Sequence, residues 1–197
     1  MAEARRPFDL STGPLLRTRL LRLGDDEYVA LVTMHHIVSD AWSAGVLYRD
    51  LAASYSAFSC GAVAQLPELP VQYADFAVWQ RDWLAGAETD RQMAFWRDHL
   101  KNAPPLLELP TDRPRPAVQT YRGNRLSRAL PAVLSGRLQT LAAEEGVTLY
   151  MLLFAAFNLL LARWSGQSDL VIGTPIAGRR RSELELLIGC FANTLAI

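Results

Sequence analysis

The chain has 197 residues, half of them hydrophobic, which is enough for one large domain or two small ones. Its 20 basic and 20 acidic residues balance, so no net field favours nucleic acid or an anionic membrane. The two cysteines, Cys60 and Cys190, have no metal-ligand spacing and are expected to be free thiols. The charged first residues run directly into Pro7 and predict no signal peptide, which favours a cytoplasmic protein.

The first half of the chain predicts a β-hairpin followed by three helices. Residues 14–23 alternate apolar and arginine positions, and the apolar run 28–34 is typical of a buried strand, with the turn at Gly24-Asp25-Asp26. Helical periodicity covers residues 41–58, 72–84 and 88–101. Ser39 or Asp40 is the expected N-cap of the first helix, and the aromatic stripe of that helix is expected to pack in the core.

The second half begins with a proline-rich stretch at residues 103–116, which predicts an extended linker and a domain boundary. The patterns beyond it predict a strand at 121–130, helices at 131–145 and 148–164, and strands at 169–175 and 191–197. The helix at 148–164 is the most apolar segment. It is shorter than a membrane span and is interrupted by Asn158 and Arg163, so it is predicted to be a buried central helix.

A short stretch at the end of the second predicted strand, MHHIVSDAWS at residues 34–43, has the residue types of a catalytic turn. Successive side chains of a strand point to opposite faces, so His35 and His36 are not expected to share a metal. A neutral imidazole can accept a proton from an attacking amine or hydroxyl. Asp40 can cap the following helix, pair with an arginine or orient an imidazole. The residues alone leave open whether His36 is a general base or a hydrogen-bonded core histidine.

The same stretch resembles the HHxxxDG motif of the condensation domains of nonribosomal peptide synthetases, which belong to the superfamily of acyltransferases similar to chloramphenicol acetyltransferase. Three other segments match that family in the family's order. They are residues 6–10 with 13–15, residues 73–80 and residues 188–195. The resemblance covers essentially the whole chain, with two departures: the glycine of the motif is Ala41 here, and the family's domain extends beyond both ends of this sequence.

The resemblance implies an α/β (α+β) fold class and part of the two-lobe fold of chloramphenicol acetyltransferase, with a mixed sheet and packed helices. Residues 1–103 match the C-terminal part of the first lobe, residues 104–118 the proline-rich linker, and residues 119–197 the N-terminal part of the second lobe. We therefore expect the chain to be a fragment of a longer domain.

The resemblance also implies roles for individual residues. His36 is the expected catalytic residue, and His35 is a supporting residue. Asp40 is expected to be structural, held by a bidentate contact from Arg179 that ties the lobes together. Ser43 and Asn193 are expected near the substrate channel. No metal site is implied.

The implied reaction is amide bond formation between an acyl or peptidyl thioester and an aminoacyl thioester, both held on carrier proteins. No cofactor is expected to bind directly, since the phosphopantetheine arms belong to the carriers. The expected partners are the upstream and downstream peptidyl carrier domains and an adjacent adenylation domain, with no nucleic acid and no membrane. The alternatives are an epimerization domain, another HHxxxD acyltransferase, or an inactive fragment with only a docking role.

Overall fold

The computed structural model describes residues 2–120 and 122–197, and the chain divides there into two compact units. One unit holds the residues up to Trp96 together with Gly173–Ala196, and the other holds Arg97–Ile172 with Ile197. The units do not follow the linear ranges 1–103, 104–118 and 119–197, whose assignment to two lobes remains a prediction.

The described chain combines helices with short strands, which confirms the α/β (α+β) class. The elements are α1 (Ala2–Arg5), β1 (Leu16–Arg22), β2 (Tyr28–Met34), a 3₁₀ turn (His36–Val38), α2 (Ala41–Ser59), α3 (Tyr73–Leu84), α4 (Ala87–His99), α5 (Ala132–Glu144), α6 (Leu149–Ser165), β3 (Gly173–Ile176), a second 3₁₀ turn (Ser182–Leu184) and β4 (Asn193–Ala196). The strands form two separate antiparallel pairs, β1 with β2 and β3 with β4, rather than one mixed sheet.

The hairpin predicted at the start of the chain is present, with Leu16 opposite Met34 and Arg22 opposite Tyr28. The expectation that β2 is buried is wrong for its first half, where the Tyr28 side chain is 51% exposed. A two-stranded sheet offers two faces, and no described helix packs extensively on either. The last residues of β2, next to the histidine turn, are half-buried.

The hydrophobic core of the first unit lies beside the start of α3. Leu184, Leu187 and Phe191 are its buried members, and the partly buried side chains packed on them are Val71, Tyr73 and Phe76. The Phe191 ring meets the Tyr73 ring edge-on at 5.1 Å and the Phe76 ring at 4.7 Å between centroids. Burying a side chain of this size contributes about 2 kcal/mol, so this cluster fixes the chain that precedes β4 against α3.

The aromatic stripe of α2 is not core, contrary to the prediction. Val46 is buried, but Tyr55 is 78% and Phe58 65% exposed. Periodicity identifies the apolar face of a helix, but it does not show whether another element covers that face. Only the N-terminal half of α2 is therefore anchored in the unit.

The second unit contains the extended proline-rich stretch, α5 and α6. Gln167, just after α6, holds the stretch with both ends of its amide: Oε1 accepts from the Glu108 N–H at 2.8 Å and Nε2 donates to the Leu106 carbonyl at 3.0 Å. Thr148 caps α6 by accepting from the Met151 N–H, and Gly166 ends it at φ 70°.

Two predictions for this unit are wrong. The strand expected at 121–130 is absent: Tyr121 lies outside the described residues, and residues 122–130 are in no strand because no other segment pairs with them. The helix expected to be central, α6, buries Leu161 but leaves Leu159 68% exposed. Within the described residues no single helix is long and apolar enough to cross a membrane; α5 and α6, bent by 104°, reach that length and composition only as a pair.

Candidate functional site

The turn between β2 and α2 is built around His35. Its Nδ1 atom accepts a hydrogen bond from the Ile37 N–H at 3.1 Å, which caps the 3₁₀ turn. The His35 N–H donates to the Leu15 carbonyl at 2.9 Å, and the Phe8 ring meets the imidazole edge-on at 5.7 Å. The imidazole of His35 therefore stabilises the turn that carries His36, and its supporting role in the reaction remains a prediction.

Asp40 is the N-cap of α2, as its position in the sequence predicts. Its Oδ1 atom accepts from the Ser43 N–H at 2.8 Å, and Oδ2 accepts from the Phe191 N–H at 3.0 Å. The side chain is only 4% exposed. One carboxylate thus closes the first turn of α2 and also holds the chain before β4, 151 residues away.

Arg179 contacts this carboxylate, as the resemblance implies, but not in bidentate form. Nη2 is 3.2 Å from Asp40 Oδ1 and 2.8 Å from Ser43 Oγ, while Nη1 donates to the carbonyls of Leu184 and Leu187. The expected second carboxylate contact is absent, since Nη1 is directed to the two carbonyls and Oδ2 accepts from the Phe191 N–H. Asp40 and Arg179 belong to the same compact unit, so their contact is internal to that unit.

The Arg179 guanidinium is a buried charge, 1% exposed, and it lies 4.0 Å from the centroid of the Phe191 ring. Its Nε atom has no hydrogen-bond partner within the described residues. Removing one partner of such an ion pair leaves an uncompensated charge and typically costs about 3–5 kcal/mol. The pair therefore fixes the N-terminus of α2 to the loop after β3.

The pKa of Asp40 records these contacts. Burial would raise the pKa of the carboxyl, but the N–H donors of Ser43 and Phe191, together with the Arg179 charge, lower it from 3.8 to about 2. Asp40 is therefore ionised at neutral pH, and both of its carboxylate oxygens accept hydrogen bonds. A carboxylate in this state is suited to holding structure rather than to exchanging protons.

Ser43, which is expected near the substrate channel, has a fully buried side chain, and its placement near a channel remains a prediction. It is 0% exposed, and its hydroxyl donates to the Gly189 carbonyl at 2.8 Å while accepting from the Gly189 N–H at 3.0 Å and from Arg179. One donor and two acceptor positions are thereby all used. The side chain has no remaining capacity to bind a substrate.

Asp40, Ser43 and Arg179, together with the residues that hold them in place, form a set of contacts that we call the lock. Three further residues of the lock were not predicted as site residues from the sequence, although two of them lie in the matched motifs. A Cβ atom at Gly189 would collide with the Tyr73 ring, and one at Gly178, where φ is +68°, would collide with the Phe191 carbonyl. The Tyr73 hydroxyl donates to the Cys190 carbonyl at 2.9 Å. Tyr73 and Gly189 belong to the motif segments 73–80 and 188–195, so the family resemblance was the signal that could have identified them as site residues.

His36 is exposed on this turn, as is its neighbour Ile37. Its Nδ1 atom is 3.7 Å from the Cys190 Sγ atom, and Nε2 has no hydrogen-bond partner in the described part of the chain. The described residues contain no group of three His, Cys, Asp or Glu side chains that could hold a metal ion. His36 thus presents one free imidazole nitrogen beside a rigid turn.

Two other residues of the motifs lie at the edge of this arrangement. Ala41 begins α2 with its side chain exposed, so this helical position accommodates the methyl group that replaces the motif's glycine. Asn193 begins β4, and its Oδ1 atom accepts from the Thr194 N–H at 2.8 Å. Its placement near a channel remains a prediction.

A surface cavity with a volume of about 410 Å³ lies beside the N-terminal half of α2. Trp42, Arg49 and Glu185 contribute to its wall, and His36 does not. The Trp42 indole N–H donates to the Glu185 carbonyl at 2.8 Å, which closes one end.

Comparison with known proteins gives consistent relatives. A linear gramicidin synthase chain of Brevibacillus parabrevis is 53% identical over 196 residues, and phosphinothricin tripeptide synthetase PhsC of Streptomyces viridochromogenes is 53% identical over 195 residues. These matches cover 100% and 99% of the chain but only 2% and 18% of the two relatives.

Solved structures resemble the chain over its full length. The X-domain from teicoplanin biosynthesis superposes with a TM-score of 0.88 and 34% identity, covering 100% of the chain and 45% of the X-domain. The epimerization domain from the third module of tyrocidine synthetase B gives a TM-score of 0.79 and 25% identity, covering 96% of the chain and 44% of that domain. The family model described as "Condensation domain" matches residues 1–197, and the chain therefore belongs to the condensation-domain family.

Proposed function

We propose that the chain is part of a condensation domain that forms an amide bond between two carrier-bound thioesters in a nonribosomal peptide synthetase. The single observation that carries this proposal is the exposed imidazole of His36 on a turn locked by Asp40, Ser43 and Arg179. Family membership and the synthetase relatives support the choice of reaction.

In this proposal the role of His36 is to orient or deprotonate the attacking amine. Its Nδ1 side faces Cys190, so the free nitrogen Nε2 is the one that meets the aminoacyl group. General base assistance of this kind contributes about two to four orders of magnitude to a rate. The thioester is already activated, and holding the two tethered substrates together supplies further acceleration.

The other site residues act through position. Asp40 and Arg179 fix the start of α2 against the chain before β4, and His35 caps the turn itself. Because His36 lies between these anchored points, its backbone has little freedom. A displacement of about 1 Å at a reacting group can cost about a hundredfold in rate, which explains why a buried ion pair supports this turn.

The substrates' tethers belong to other proteins in this proposal. Upstream and downstream peptidyl carrier domains bring the phosphopantetheine arms, and an adjacent adenylation domain loads the downstream carrier. These partners and a cytoplasmic location are inferred from the synthetase relatives and not from a contact of this chain.

The test is a condensation assay in the intact synthetase module that carries this chain, with both carriers loaded and the dipeptidyl thioester measured by mass spectrometry. We expect His36→Ala to lower the rate of product formation at least tenfold. His99→Ala is the matched control, since His99 lies at the end of α4 outside the turn, and it should retain the rate within about twofold. An unchanged rate in His36→Ala would show that the role assigned to His36 is wrong.

A second candidate function is epimerization, which the similarity to the tyrocidine epimerization domain favours. There His36 would take part in removing and returning the proton at the α-carbon of a single carrier-bound aminoacyl group. The same assay separates the two reactions: epimerization gives a D-aminoacyl thioester on one carrier and no dipeptide. A module that binds its carriers but gives neither product would support a docking role alone.

A further inference from the structure

Cys190 and His36 meet although 154 residues separate them in the chain. The Cys190 Sγ atom lies 3.7 Å from His36 Nδ1, which is within hydrogen-bonding reach for sulfur. Cys190 is half-buried and has no disulfide partner, and the imidazole is exposed. A thiol beside an imidazole is the arrangement in which a cysteine can lose its proton to a neighbouring base.

Hydrogen bonds fix the backbone of Cys190 and of the residue on each side of it. Gly189 is bonded through its N–H and carbonyl to Ser43 Oγ, the Cys190 carbonyl accepts from the Tyr73 hydroxyl, and the Phe191 N–H donates to Asp40. Three consecutive residues are thus anchored to α2 and α3. The sulfur is therefore presented to His36 by a fixed backbone and not by a mobile surface loop.

We propose that Cys190 and His36 form a thiol–imidazole pair that makes Cys190 a covalent modification site for soft alkylating electrophiles of the haloacetamide class. In the His36 tautomer that carries its hydrogen on Nε2, Nδ1 takes the thiol proton, and the sulfur attacks the methylene carbon of iodoacetamide. A carbon–sulfur bond forms, the carbon–iodine bond breaks, and iodide leaves with the electron pair. The imidazolium then releases its proton to water, and no oxidant or reductant is needed.

The chain contains its own reference thiol. Cys60 at the end of α2 is exposed, and its sulfur lies 4.0 Å from the Ser59 hydroxyl. If accessibility alone controlled the reaction, Cys60 would be alkylated faster than the half-buried Cys190. The pairing with His36 predicts the reverse order, because the thiolate is the reacting species.

The experiment treats the 197-residue chain with limiting iodoacetamide at neutral pH and measures the adduct on each cysteine-containing peptide by mass spectrometry over time. We expect Cys190 to react about fivefold faster than Cys60. His36→Gln should remove this advantage without changing the rate at Cys60, and His99→Gln should change neither rate. Slower alkylation of Cys190 than of Cys60, or an unchanged Cys190 rate in His36→Gln, would overturn the proposal.

A denatured reference keeps the result decisive if His36→Gln fails to fold. In concentrated guanidinium chloride the two thiols of the unmodified chain lose their surroundings and should react at similar rates. A Cys190-to-Cys60 rate ratio that is larger in the native chain than in the denaturant supports the pair, and an equal or smaller native ratio overturns it. The readout is adduct mass, so a failure of the proposed condensation activity would not affect it.

Discussion

The buried carboxylate of Asp40 gives the sharpest stability prediction for the protein. Its pKa falls from 3.8 in the unfolded chain to about 2 in the folded one, and each pH unit of difference corresponds to about 1.36 kcal/mol. Ionised Asp40 therefore contributes about 2.4 kcal/mol to the free energy of unfolding at pH 7. Its side chain is 4% exposed, so solvent screening removes little of this contribution.

The sign of the pH dependence follows from the lowered pKa. The contribution is fully present above the unfolded value of 3.8 and is lost as pH falls through about 2. By the same linkage relation it amounts to about 1.3 kcal/mol at pH 3. Asp40→Asn removes the charge at every pH, so the stability difference between the unmodified chain and the variant should shrink by about 1 kcal/mol between pH 7 and pH 3.

The assay is urea unfolding of both chains at pH 7 and pH 3, followed by circular dichroism. Asp50→Asn is the matched control, because Asp50 lies in the same helix and pairs with Arg49 at the surface, where a substitution changes stability by less than about 0.5 kcal/mol. An Asp40→Asn difference that is the same at both pH values would refute the reasoning, since it would mean that the carboxylate is not the stabilised form.

Three further substitutions test the surrounding lock. Ser43→Ala leaves the Gly189 N–H and carbonyl and one Arg179 N–H without their partner, so urea unfolding should show a loss of about 3 kcal/mol. Gly189→Ala places a methyl group against the Tyr73 ring and should lower the free energy of unfolding by about 1–3 kcal/mol. In a double-mutant cycle with Tyr73→Ala, the loss in the double variant should be smaller than the sum of the two single losses. Strict additivity would contradict the predicted collision. Ala41→Gly restores the glycine of the motif but lowers helix propensity, so thermal unfolding should show a melting temperature a few degrees lower, and an increase would show that Ala41 is strained.

Much of the secondary structure and one key contact could be predicted from the sequence. The hairpin of β1 and β2, the N-cap at Asp40 and the positions of α2 to α6 are local features, set by periodicity, turn residues and capping within a few neighbours. The pairing of Asp40 with Arg179 came from the family resemblance instead, because no local pattern connects residues 139 positions apart.

Burial and the details of the site were decided by tertiary structure. The apolar runs of β2, α2 and α6 were expected to be buried, yet a run of apolar residues does not determine whether another element covers it. Asp40 Oδ2 accepts a hydrogen bond from the Phe191 N–H and not from Arg179. The Ser43 hydroxyl forms its hydrogen bonds with the backbone of Gly189 and with Arg179. The contact of Cys190 with His36 likewise depends on two distant segments being held together by hydrogen bonds between side chains of one and the backbone of the other, and neither segment alone contains these bonds.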